Sequence, residues 1–511
     1  MSFRTTLDNA VETLLPKRAF RRQFYRDQIK RTAKKKSSGS DSPNSWGMRY
    51  AAAKTTRLTG AWSPVDSSVN KLISDASPTV RARVRQLVRD FPYFTRAVNL
   101  LTDYVVADGI KFQSRVQDGK GKLHKPLIQK IEDSFNFWAD EADVAKKLHY
   151  YEMEALAKTQ DSECGEFLFI HRYRKGEGRY LPYSLQMIEA DWLTDMGATP
   201  ESRENDIDQG VEFKISTGEI VAFHFADPDT YGSVVREPAE NVTHGFKTLR
   251  PGQRRGISPF VPAILLAHDL SEYMDTEMDG AKMAAKWLAM VKTPDPQSRQ
   301  AGIRETDPDT EQKIEEMENA IIEYLRPGEE IEIASNPRPG TNFPPFVKLI
   351  LTMLGITVGV PYELLSGDYQ GLNYATGQIV RNDFAFQLRP IAIRHIRHFA
   401  QPTFKPFLES AVMNGKLDLP GFYTNPAPYF KSEWQPPGME PVDHLRTTKA
   451  QIEQVQTGLR SPIEIARARG RDLEDIYKEI AAAKEMAVDN KLDFSDKPST
   501  AMANNPAALG A

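Results

Sequence analysis

Leu354-Gly355-Ile356-Thr357-Val358-Gly359-Val360-Pro361-Tyr362-Glu363-Leu364-Leu365-Ser366-Gly367-Asp368 is the stretch on which the reading of this chain turns. It closes a strongly apolar helix expected over 346–358. It then opens into residues 366–377, where Ser366, Gly367, Gly371 and Gly377, with Asp368 and Asn373, give the composition of a loop. A long helical stretch begins near Gln378, is punctuated by Pro390, Pro402 and Pro406, and ends at Gly415. Upstream, Pro337, Pro339, Pro344 and Pro345 lead into the apolar helix. They follow a Pro- and charge-rich segment at 293–309, a short helix expected over 310–325 and a strand at 330–334. Before these, Ser258-Pro259 starts a helix running to about Met290, a rod of about 45 Å at about 1.5 Å per residue. Two helices, the first of them long, therefore flank a small Pro-rich insertion, and a loop follows the second.

Working outward, Ser77-Pro78 is expected to open a helix from about Thr79 that Asp90 to Pro92 breaks; a second runs to Gly109. Residues 126–138 read as an amphipathic helix with Ile128, Ile131, Phe135 and Trp138 on one face, and 150–159 continue the helical trend. Residues 166–173 alternate and are aromatic and β-branched, and after the turn Lys175-Gly176-Glu177-Gly178 the pattern returns at 180–188, which is a hairpin. A second hairpin pairs 211–215 with 220–225 across Thr217-Gly218. A β-rich module thus spans about 164–248, with helical material on both sides. Residues 441–488 are helical again, and a disordered tail is expected beyond Asp489.

At 511 residues the chain has room for roughly three domains. The formal net charge of −3 lacks the basic excess of a strong polyanion binder. Charge is local instead. Residues 17–36 hold ten Lys or Arg and one acid, Asp27; Arg18, Arg22, Arg26, Lys30 and Lys34 fall four apart and form one basic helical stripe. Such an arm can meet DNA phosphates, an acidic protein surface or only solvent. Asp269, Glu272, Asp275 and Asp279 form an acidic stripe on the long helix. The single cysteine, Cys164, excludes an intrachain disulfide and any zinc site built on two cysteines of one chain. The first fifteen residues have no long apolar core and no run reaches about 20 apolar residues, so the expectation is a soluble chain assembled in the cytoplasm, with no membrane segment.

Catalytic signatures are few. Gly119-Lys120-Gly121-Lys122 lacks phosphate-loop spacing. Cys164 and His171 are separated by an odd number of residues on or beside a strand and so face opposite sides. His395 and His398 share a helix face, but Arg394 and Arg397 flank them and oppose a bound metal. The reading is a non-enzyme with no catalytic, metal or cofactor site.

The opening stretch resembles the lambda-type portal protein family of tailed bacteriophages. The resemblance begins with Leu325-Arg326-Pro327-Gly328-Glu329-Glu330-Ile331 and Asn336-Pro337-Arg338-Pro339, continues through 354–368, and reaches Asn373-Tyr374. There Ala375 and Thr376 stand for two serines of the family pattern, and Gly377-Gln378 for its Ala-Arg. Weaker similarity covers Arg81 to Gly109, Asp161 to Asp191, Gly256-Ile257-Ser258-Pro259 and Trp434 to Gly470, in the family's order.

The resemblance implies an α+β, mainly helical portal fold with wing, stem, clip and crown parts, assembling as a ring, generally of twelve copies. On it, 1–45 is a basic arm and linker and 46–255 a wing. Residues 256–290 are the first stem helix, 291–345 the clip, and 346–365 the second stem helix. A tunnel loop at 366–377 precedes a wing return helix at 378–432, a crown at 433–490 and a tail at 491–511. It implies a capsid-vertex component of the virion through which double-stranded DNA passes without sequence preference during packaging and ejection. The partners implied are further copies of the chain, the terminase large subunit, a head-completion or adaptor protein, and the major capsid protein or scaffold. Asp368, Tyr369, Gln370, Asn373 and Tyr374 are then the candidate DNA-facing loop residues, and the acidic stripe is the candidate channel lining. The alternatives are a Mg²⁺-dependent DNA-processing nuclease and a monomeric DNA-binding adaptor acting through the basic arm.

Overall fold

The computed structural model describes residues 66–117, 122–174, 178–226, 234–286, 290–292, 305–306, 313–314, 330–332, 340, 342–438 and 443–490. The basic arm, Arg18, Arg22, Arg26, Lys30 and Lys34 included, and the expected tail lie outside them.

Helices α1 (Val69–Asp90) and α2 (Pro92–Val105) lead into strand β1 (Lys111–Ser114), then α3 (Lys125–Ala139) and α4 (Tyr150–Glu163). Helix α1 begins ten residues before the expected start. Its N-cap is Ser68, which accepts from the Lys71 amide, and Pro78 lies inside it. Pro78 faces solvent. The inner face Ile73, Ser77, Arg81, Val84 and Leu87 runs past it unbroken, so burial of that face outweighs one lost backbone hydrogen bond.

Strand β2 (Glu166–Tyr173) is central to a three-stranded antiparallel sheet with β3 (Tyr183–Ile188) and β8 (Val242–Phe246). A four-stranded antiparallel sheet follows in sequence order, β4 (Asn205–Asp208), β5 (Val211–Lys214), β6 (Ile220–Phe225) and β7 (Val235–Pro238). Both expected hairpins are present. Strand β2 is buried on both faces: Phe167 and Phe169 enter one apolar cluster with Trp138, Tyr150 and Phe407, while Leu168 and Ile170 enter another with Val211 and Phe223. The alternation expected along 166–173 therefore does not separate a core face from a solvent face, because both faces of the strand are covered.

Helix α5 (Ile264–Lys286) follows a short 3₁₀ turn at Val261–Ala263 and starts later than the expected rod; residues 287–289 lie outside the described residues. It leads out to a ladder in which β9 (Met290–Lys292) pairs antiparallel with β12 (Glu330–Glu332). Between them β10 (Glu305–Thr306) pairs with β11 (Lys313–Ile314). Strand β11 falls where the helix from Thr310 was expected; the remainder of 310–325 lies outside the described residues.

Helix α6 (Phe343–Val358) leads back and packs on α5, with Tyr273 against the rings of Phe343 and Phe346 at 5.7 and 5.2 Å. The short α7 (Tyr362–Ser366) and the long α8 (Tyr374–His395) follow, and one wide π-helical turn (Ile396–Ala400) continues α8 into α9 (Gln401–Met413). Helices α1, α2, α6 and α8 and the start of α5 share a second core, centred on Phe94, Phe260, Leu270, Leu354 and Phe384. Strand β13 (Ser432–Gln435) returns to pair with β1, placing Trp434 opposite Phe112. Helices α10 (His444–Gln456), α11 (Pro462–Ala468) and α12 (Leu473–Asp489) complete the chain. The fold is α+β and mainly helical. No described helix is long and apolar enough to cross a membrane.

Candidate functional site

The segment joining α7 to α8 holds four of the five candidate loop residues, Asp368, Tyr369, Gln370 and Asn373; Tyr374 begins α8. Gly367 ends α7 in the left-handed conformation, φ 71°, which a side chain would strain. The Asp368 amide donates back to Ser366 Oγ at 3.1 Å. Its carboxylate accepts from the Gln370 amide at 3.1 Å and from the Tyr362 hydroxyl at 3.2 Å, with Lys348 Nζ 3.9 Å away. Asp368 therefore ties the turn to α7 and α6.

Asn373 is the N-cap of α8, its Oδ1 accepting from the Thr376 amide at 2.8 Å. The irregular segment is thus 367–373 rather than 366–377. Ser366 is the last residue of α7, and Tyr374 to Gly377 form the first turn of α8. The reason is local: Asn373 satisfies an amide that a longer loop would have left exposed. The positions that depart from the family pattern, Ala375 to Gln378, are consequently helical.

Gln370, Tyr369 and Tyr374 remain exposed. Tyr369 and Leu372 lie over a cavity of about 520 Å³ that Tyr104, Val380, Phe384 and Pro437 also line. The loop thus rests on the second core through one aromatic and one aliphatic side chain, while its polar tip faces water.

Asp269, Glu272, Asp275 and Asp279 all lie on α5 and all are exposed. Asp279 pairs with Lys282 at 3.0 Å, and Asp269 lies 3.7 Å from His268. Glu272 and Asp275 have no ion-pair partner among the described residues. The described residues contain no group of His, Cys, Asp or Glu arranged to hold a metal ion.

His395 is buried and stacked on Phe399 at 5.5 Å; burial pushes its pKa down to about 3, so the ring is a neutral core group. Cys164 caps α4 just before β2 and packs with Leu168 and Ile170, and burial pushes its thiol up to about 11. His171 lies on the other face of the sheet, bonded to Tyr183 Oη at 2.7 Å and Thr243 Oγ1 at 3.0 Å. The two are apart, as the odd spacing required.

Sequence reasoning missed a buried ionic joint at the foot of α5. Glu166 is enclosed and accepts from Arg255, from His244 at 2.9 Å and from the Gly256 amide at 2.7 Å. Burial alone would raise its pKa; the charge of Arg255 and the His244 hydrogen bond more than reverse this and hold it far below the usual carboxylate range. The backbones of Gly165 and Gly256 meet beside it. A Cβ on Gly256 would lie 2.2 Å from Gly165 O, and one on Gly165 would lie 2.0 Å from the Ile257 carbonyl carbon. The signal was present in Gly165-Glu166 and in Gly256-Ile257-Ser258, but nothing in the sequence linked them.

The family model described as phage portal protein, lambda family, matches residues 55–389. A probable portal protein of Halomonas phage phiHAP-1 is 25% identical over 451 residues, covering 84% of this chain and 85% of that protein. Portal protein B of Escherichia phage lambda is 20% identical, covering 82% and 85%. Among solved structures, a chain from the neck of an empty gene transfer agent particle has a TM-score of 0.47 at 14% identity, over 81% of this chain and 97% of that one. The family match spans α5, the insertion, α6, the 367–373 loop and most of α8, and the chain belongs to the lambda family of phage portal proteins, a family of structural proteins.

Proposed function

We propose that copies of this chain form a ring at one capsid vertex of a virion, through which double-stranded DNA is packaged and later ejected. In this reading the ring first docks the terminase large subunit and then a head-completion or adaptor protein, and its rim meets the major capsid protein or scaffold. The role is mechanical and includes no catalytic step. The match of the family model over 55–389 carries the reading.

The parts follow the chain. Residues 46–255 and 378–432 are the wing, α5 and α6 the stem, and the insertion between them, within 291–345, the clip. Residues 367–373 are the tunnel loop and 433–490 the crown. What supports this division is the path of the chain: α5 leads out, a short ladder closes the base of the insertion, α6 leads back, and a polar turn follows. A conduit must let DNA slide, so tight phosphate binding would be a fault. Exposed acids on α5 fit a repelling wall, and Tyr369, Gln370 and Tyr374 fit weak, sequence-independent contact. Negative-stain microscopy of the purified full chain tests the proposal: closed rings are expected, of about a dozen copies as the family resemblance implies. A monodisperse monomer at every concentration would overturn it.

A further inference from the structure

Helices α10, α11 and α12 are joined to the rest of the chain with little apolar contact. None of the three apolar cores takes in a residue from them, and among their residues only Ala466 and Ala487 are buried. Polar groups hold them instead. Buried Gln435, at the end of β13, donates from Nε2 to the carbonyls of Arg467 and Arg471, both at 3.1 Å, and accepts from Gln113 at 3.2 Å. Further out, Lys125 meets Glu474 at 3.1 Å and Lys478 donates to Gln129 at 3.4 Å, each between exposed side chains. Exposed pairs of this kind are weak and screened by salt. The turn between α11 and α12 is thus pinned, while α12 itself is lightly held.

A cleft of about 800 Å³ lies between α12 on one side and α3 and β1 on the other. Glu132 of α3 lines it and accepts from the Ser114 amide at 2.9 Å. Asp472 and Asp475, at the start of α12, line it too. Both are there for a local reason. Acids complement the positive end of a helix, and Asp472 caps α12 by accepting from the Glu474 amide at 2.9 Å. Arg115 of β1 stands among the three carboxylates but is shared, 2.7 Å from Glu433 and 3.7 Å from Asp472. The other charged groups of the lining are paired: Lys111 with Asp108, Lys125 with Glu474, Arg471 with Glu479, and Lys478 with Asp475 at 3.5 Å. Burial raises the pKa of Glu132 to about 7; the charges of Asp475 and Asp472 add to this, against the Ser114 hydrogen bond and Arg115.

A protonated Glu132 is a neutral wall residue. An ionised one is a third carboxylate facing two that the start of α12 fixes in place. We infer that α12 is a proton-controlled flap, docked on α3 while Glu132 is neutral and driven off it when Glu132 ionises, with the turn pinned by Gln435 as the hinge. This goes beyond the ring reading and does not depend on it. The sign follows from where the proton sits. The docked state holds a proton up to about pH 7 that the released state, with an ordinary carboxyl near 4.5, has already given up. Docking is therefore full below the lower value and weakens by up to about tenfold per pH unit between the two.

The test uses the full chain with spin labels at Lys130→Cys on α3 and Lys484→Cys on α12, both exposed positions. Cys164 is buried and stays unlabelled. Diluting labelled chains in unlabelled ones isolates the distance within one copy, and double electron–electron resonance reads it. One short distance is expected at pH 5.5. At pH 8 a second, longer population is expected, at least about tenfold larger relative to the first than at pH 5.5. In Glu132→Gln the short distance holds at both pH values. In Asp475→Asn, which keeps Glu132 and removes a facing charge, the longer population at pH 8 shrinks. Asp133→Asn, at an exposed acid of α3 outside the cleft, responds as wild type does. Circular dichroism at each pH checks the fold. A wild-type distance that does not change with pH overturns the inference, as does a pH response retained in Glu132→Gln or an undiminished longer population in Asp475→Asn.

Discussion

The guanidinium of Arg255 grips both carboxylate oxygens of Glu166, with Nη2 2.6 Å from Oε1 and Nε 3.0 Å from Oε2, and neither side chain is open to solvent. Arg255 also donates to the carbonyls of Ala190 and Gln209. The pair therefore binds the segment that leads into α5 to the three-stranded sheet.

Breaking the pair from one side strips the buried charge of its main partner and leaves it His244 at 2.9 Å and Arg81 at 3.8 Å. Arg255→Ala should destabilise the fold by about 3–5 kcal/mol, because Glu166 stays enclosed. Gly256→Ala should also destabilise strongly, since its new Cβ would press on the Gly165 carbonyl. Urea titration followed by circular dichroism checks both; a loss below 1 kcal/mol in Arg255→Ala would show that the joint is dispensable.

Glu154 sets a pH dependence of opposite sign to the usual carboxylate. It is fully buried and accepts from the Ile110 amide at 2.9 Å, and burial raises its pKa to about 8. Between the unfolded value near 4.5 and about 8, the folded state holds a proton that the unfolded state has released. Stability from this group is thus full below the unfolded pKa and declines as pH rises toward 8, at up to about 1.4 kcal/mol per pH unit. Half-buried Glu132, raised by burial to about 7, adds the same sign. Glu154→Gln should flatten the decline. Melting temperatures from pH 5 to 8 measure it, and an unchanged slope in the variant would reject the assignment.

Asn373 and Tyr369 should separate structure from conduction in the loop. Asn373→Ala removes the cap of α8 and should cost about 1 kcal/mol. Tyr369→Ala should leave denaturant stability nearly unchanged while lowering packaging or retention of DNA in an assembled particle. Normal packaging by Tyr369→Ala would remove that side chain from the passage.

The acidic stripe invites a charge reversal. Glu272→Lys with Asp275→Lys should leave folding intact, since both residues are exposed and without ion-pair partners among the described residues. If α5 faces the channel, the variant ring should retain double-stranded DNA more tightly, and log affinity should fall more steeply with log salt, by about 0.9 per phosphate neutralised. Binding by filter retention across a salt series reads this, and an unaltered slope places the stripe elsewhere.

Much of the fold was legible because its signals are local. Residues 166–173 and 180–188 declared themselves as a hairpin through aromatic and β-branched content, and Phe346 to Val358 through a strongly apolar composition. The misjudged boundaries came from weighing local signals alone. Pro78 looked like a helix start, but burial on either side of it carried the helix through. Gly377 looked like part of a loop, but the Asn373 cap took it into α8.

By itself the sequence determined the two central hairpins, the two helices around an insertion, and the family to which the chain belongs, because periodicity, turn residues and motif order are properties of neighbours along the chain. Only the tertiary structure decided that Glu166 and Arg255, 89 positions apart, form one joint. The reason is physical: burial, ion pairing and steric contact depend on distance in space, and the fold brings together side chains whose separation along the chain carries no signal.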